Sequence, residues 1–106
     1  MEKIINNFGL KNEVADQLQG LFRAHTEIEE AIIFGSRAMN SYRVNSDVDV
    51  ALKGKINFNT LLEIEREIDN LMLPNKFDVL VLNSIENANL LDHIEKNGSV
   101  FYKKKY

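Results

Sequence analysis

Two neighbouring stretches decide the reading of this chain: Ala31-Ile32-Ile33-Phe34-Gly35-Ser36-Arg37-Ala38 and, one short loop later, Ser46-Asp47-Val48-Asp49-Val50. The first runs through β-branched and aromatic residues and is stopped by Gly35, which predicts a buried strand over 30–34. In the second, Asp47, Asp49 and Ala51 alternate with Val48, Val50 and Leu52, the period of a strand over 47–52. Asp47 and Asp49 therefore share one face. A strand that ends in Gly-Ser and turns into a short helix presents backbone N–H groups and a hydroxyl to an anion, and the helix dipole favours negative charge there.

Helix and strand signals alternate outward from this unit. Val14, Leu18, Leu21 and Phe22 recur at helical spacing from Asn12 to about Ala24, with Asn12 placed as the cap. Beyond Gly54, which closes the second strand, Leu61, Ile64, Ile68, Leu71 and Met72 mark a helix capped by Asn59 or Thr60, with Pro74 just past its end. Phe77-Asp78-Val79-Leu80-Val81-Leu82 is too short and too β-rich for a helix. Ser84 is expected to cap a helix carrying Ile85, Ala88, Leu91 and Ile94, the Asn97-Gly98 pair to stop it in a left-handed turn, and residues 99–103 to form a last strand. The expected class is α/β of the α+β kind, a mixed sheet of about four strands with helices packed mainly on one face. The other face would then be free.

Composition bounds the rest. At 106 residues, one domain over 1–106 with one hydrophobic core is expected. The 44% hydrophobic and 27% charged residues are those of an ordinary globular protein. Absence of cysteine removes disulfides, thiolate catalysis and cysteine-held metals, so any metal must sit on oxygen or histidine. No signal-peptide or membrane-spanning run is present, and a soluble, cytoplasmic protein is expected. A net charge of -3 argues against direct nucleic-acid binding, and Lys103-Lys104-Lys105 reads as a solvated basic tip. His25 and His93, near a helix end and on a helix, suit helix dipoles and are not taken as ligands.

If Phe77, Val79 and Val81 take the covered side of the sheet, Asp78 joins Asp47 and Asp49 on the opposite face. Three such carboxylates repel unless a cation lies between them. An all-oxygen set of this kind suits magnesium, which is usually held by a few carboxylates together with substrate phosphates.

At GSRAMNSYRVNSDVDVAL and FDVLVL the chain resembles the nucleotidyltransferase superfamily of the DNA polymerase β type, and specifically its minimal MNT-type members. The resemblance runs from about Ala31 to Leu82, with the closing 91–102 segment also similar. It implies a nucleotidyltransferase fold in which Gly35, Ser36 and Arg37 contact the nucleotide phosphates and Asp47, Asp49 and Asp78 hold two Mg²⁺ ions. It also implies transfer of a nucleoside monophosphate, AMP from ATP, to a hydroxyl. Minimal members are typically encoded beside a small all-helical HEPN partner, so the resemblance implies a hetero-oligomeric toxin–antitoxin pair in which a tyrosine of the HEPN toxin is the acceptor. The chain has Met39-Asn40 where many minimal members read Arg-Gly. That departure keeps open a second reading, a catalytically weak nucleotide-binding module that neutralises or scaffolds its helical partner by contact alone.

Overall fold

A computed structural model describes residues 10–35 and 47–105. Among them, helix α1 (Asn12–Ala24) leads into β1 (Ile28–Phe34), and β2 (Val48–Gly54) is followed by α2 (Phe58–Asn70) and β3 (Phe77–Val81). A single 3-10 turn over Leu82–Ser84 precedes α3 (Ala88–Asn97) and β4 (Ser99–Lys103). The sheet order is β3-β2-β1-β4. β1 runs antiparallel to both β2 and β4, whereas β2 and β3 are parallel, so the sheet is mixed as expected. The short helix expected after Ser36 lies outside the described residues.

Two layers of side chains flank the sheet. Val48, Val50 and Leu52 of β2 and Val79 and Val81 of β3 face α1 and α2, where Leu18, Phe22, Ile64 and Ile68 complete the main core. Phe22 is fully buried and stacks edge-on against Phe101 of β4, ring centroids 6.2 Å apart. The other face is not free. Ile94 of α3 packs with Phe34 and Ala51 into a second, smaller core, flanked by Ile32, Leu80 and Leu90. α3 is amphipathic, and it buries its apolar stripe on this face. No helix among the described residues is long and apolar enough to cross a membrane.

Several local expectations are corrected. The cap position of α1 is Lys11, without a side-chain hydrogen bond, and Asn12 is already helical. α2 begins earlier than expected, because Asn57 accepts a hydrogen bond from the Thr60 N–H at 2.8 Å and so satisfies a first-turn donor. Its helical run stops at Asn70, and Met72 takes φ +55°, leaving the side chain exposed instead of on the buried stripe. Ser84 does not cap α3. Asn87 does, accepting from the N–H groups of Asn89 at 2.9 Å and Leu90 at 3.1 Å. Gly98 is not left-handed, with φ -73°. Glycine stands there because a Cβ would lie 2.4 Å from the Ile94 carbonyl oxygen and 2.7 Å from Cγ2 of Ile32.

Candidate functional site

β1 and β2 are antiparallel, so the C-terminal end of β1 meets the N-terminal end of β2; β3 is parallel to β2, so its N-terminal end arrives at the same edge. In this register Phe34 pairs with Asp49, and Asp49 pairs with Asp78. Gly35, Asp49 and Asp78 are thereby gathered at one end of the sheet. Period-two alternation turns Asp49 and Asp78 away from the α1–α2 core, toward the face that carries Phe34, Ala51 and α3.

Asp49 is half-buried, and Asp47, just before β2, is exposed. Burial first, and then the negative charges of Asp78 and Asp47, push the Asp49 carboxyl above its ordinary value. Asp49 thus lies within electrostatic reach of both Asp78 and Asp47, although the three carboxylates do not all come within 4.8 Å of one another. Gly35 takes φ +75°, a left-handed conformation open to glycine, and a Cβ there would lie 2.6 Å from Oδ2 of Asp49. The missing side chain lets the strand end close against the carboxylate. Ser36, Arg37, Met39 and Asn40 lie outside the described residues.

This arrangement suits a divalent cation by its own chemistry. Its donors are all carboxylate oxygens, the ligand type magnesium prefers, and a cation beside the acids would offset both the burial and the repulsion that raise Asp49. The fold also assembles a cluster that the sequence reading passed over. His25, Glu63 and Glu67 each bring a ligand atom within 4.8 Å of the others. The local signal was the Glu63–Glu67 pair, two like charges one helical turn apart on α2.

A family model described as polymerase beta, nucleotidyltransferase matches residues 16–106. A crystal structure of a toxin–antitoxin with AMP-PNP superposes with a TM-score of 0.69 at 17% identity, covering 86% of this chain and 74% of the other. The tri-AMPylated Shewanella oneidensis HEPN toxin in complex with MNT antitoxin gives a TM-score of 0.65 at 14% identity, over 88% of this chain and 72% of that one. The toxin–antitoxin MntA-HepT reaches 0.65 at 16% identity, over 88% and 73%. At these identities the likeness speaks for the fold. A search of curated proteins found no match. The family match takes in all four strands together with Gly35, Asp47, Asp49 and Asp78, and by it the chain belongs to the polymerase beta nucleotidyltransferase family.

Proposed function

We propose that this protein is a metal-dependent nucleotidyltransferase that moves AMP from ATP to a tyrosine hydroxyl of a HEPN-type helical toxin, and so acts as an antitoxin. The observation that carries the reading is the pairing of Asp49 with Asp78 across the β2–β3 ladder, against the strand end at Gly35. The acceptor and the pairing rest on likeness to structures described as toxin–antitoxin complexes, one with AMP-PNP and one with an AMPylated HEPN toxin.

In this mechanism Asp47, Asp49 and Asp78 are the residues that would hold two Mg²⁺ ions. When bound, the ions supply charge neutralisation at the α-phosphate and at the departing pyrophosphate. Gly35, with no side chain, lets the end of β1 close on Asp49, and Ser36 and Arg37 follow it in the chain with a hydroxyl and a cation for the phosphates. Asp78 takes the proton of the attacking hydroxyl. A bond forms from that oxygen to the α-phosphorus, the bond between the α-phosphorus and the bridging oxygen breaks, and pyrophosphate leaves.

The test is direct. The protein, co-purified with the helical partner encoded beside it, is incubated with Mg²⁺ and α-labelled ATP. Label on a partner tyrosine is expected, with loss of both labelling and toxin neutralisation in Asp47→Ala. Absence of label together with full neutralisation by Asp47→Ala would sink the enzymatic reading and leave neutralisation by contact.

A further inference from the structure

On the opposite side of the sheet from Asp49 and Asp78, α2 carries Glu63 and Glu67 one turn apart, so both side chains project along one flank of the helix. That flank adjoins the buried stripe of Ile64 and Ile68, where α2 and α1 meet over the main core. His25 leaves the C-terminal end of α1 and is pinned there: its N–H reaches the Phe22 carbonyl and its own carbonyl accepts from the Ile28 N–H. Its side chain is only 11% exposed, and Nε2 lies 2.9 Å from Oε1 of Glu67. An imidazole nitrogen thus lies against Glu67, with a Glu63 carboxylate oxygen in the same cluster, all within 4.8 Å.

We infer that His25, Glu63 and Glu67 form a binding site for a divalent transition-metal ion of the zinc class, clasping the end of α1 to α2. An imidazole with two carboxylates suits zinc, manganese or iron, whereas an all-oxygen set such as Asp47, Asp49 and Asp78 suits magnesium. Three protein ligands leave a fourth position for water, as in open zinc sites. Ligand atoms around a tetrahedral zinc lie about 3.4 Å from one another, given bond lengths near 2.1 Å. The present atoms all fall within 4.8 Å, and Glu63, being exposed, is free to swing the remaining distance. Because the cluster lies on the α1–α2 side, the inference is independent of the proposed transferase chemistry.

A His25–Glu67 ion pair alone would explain two of the three residues but has no use for Glu63, so Glu63 decides. The full-length protein is titrated calorimetrically with Zn²⁺ in excess Mg²⁺, and its melting temperature is followed with and without Zn²⁺. One equivalent of Zn²⁺ is expected to bind, and at about a hundredfold excess over Kd the melting temperature should rise by roughly 10 °C. Glu63→Gln should weaken binding at least about tenfold and remove most of that rise, while the metal-free melting temperature stays at the wild-type value. The inference is overturned by the absence of Zn²⁺ binding up to about 100 µM. It is equally overturned by wild-type affinity in Glu63→Gln, or by binding that vanishes instead in the Asp47→Asn, Asp49→Asn double variant.

Discussion

Replacing Gly35 by Ala tests the fold and the site in one step. Gly35 sits at φ +75°, where a residue with a Cβ loses about 1–2 kcal/mol. The new Cβ would stand 2.6 Å from Oδ2 of Asp49, whereas ordinary contact begins at 3.4 Å, so the carboxylate must retreat by the difference, 0.8 Å. A side chain can rotate that far at small cost, and the left-handed backbone therefore dominates the loss of stability. A fall in melting temperature of roughly 5–15 °C is expected for a domain of this size. Activity should suffer more. On the role proposed for Asp49, displacing its carboxylate by about 1 Å is enough to cost about 10²-fold in rate. Thermal melts and Mg²⁺-dependent transfer of label from ATP to the helical partner, measured on the same preparation, separate the two effects. A variant that melts lower but transfers label at the wild-type rate would show that the contact between Gly35 and Asp49 has no part in the chemistry, and Asp49 would lose its assigned role. An unchanged melting temperature would refute the backbone argument itself.

Four further outcomes follow from the same geometry. Gly54 has φ +144°, and a Cβ there would meet the Glu27 carbonyl oxygen at 2.0 Å; because backbone cannot step aside, Gly54→Ala should cost at least about 3 kcal/mol in urea unfolding. The raised Asp49 carboxyl means that the folded state holds that proton more tightly than the unfolded state, so its ionisation lowers stability as pH rises through the ordinary value of 3.8 and the higher folded one. Metal-free Asp49→Asn should accordingly be more stable than wild type at neutral pH, an advantage that disappears well below pH 3.8 and shrinks when Mg²⁺ is added; equal stability at neutral pH would contradict it. Ile94 is 2% exposed at the centre of the smaller core, and Ile94→Ala should lower unfolding free energy by about 2–4 kcal/mol, read by denaturant titration. Asn57→Ala removes the hydrogen bond to the Thr60 N–H and should cost about 1 kcal/mol by the same measurement.

Strand periodicity was legible because it is local. The alternation of Val48, Val50 and Leu52 with Asp49 and Ala51 places the two sets on opposite faces whatever the strand pairs with, and the structure buries them accordingly. Caps were less legible, since several Asn, Ser and Thr residues near each helix start carry the same signal. Asn57 and Asn87 prevail because the chain takes its first helical turns immediately after them, and for α3 the 3-10 turn over Leu82–Ser84 delays that start. Gly98 shows the same limit from another side. A glycine before a strand reads equally as a left-handed stop or a close approach, and only the positions of Ile94 and Ile32 choose between them.

The sequence by itself singled out the residues proposed to carry the chemistry: Gly35 at the end of an apolar strand, Asp47 and Asp49 in an alternating stretch, Asp78 alone in a third apolar run. Each is marked by contrast with its immediate neighbours, and that contrast survives any arrangement of the strands. Their meeting was decided by tertiary structure. Parallel pairing of β2 with β3 and antiparallel pairing with β1 bring Asp78 and Gly35 to the two sides of Asp49, a juxtaposition set by long-range register. The packing of α3 on the acid-bearing face and the approach of His25 to Glu67 were likewise decided there, because each depends on where separate amphipathic elements bury their apolar sides.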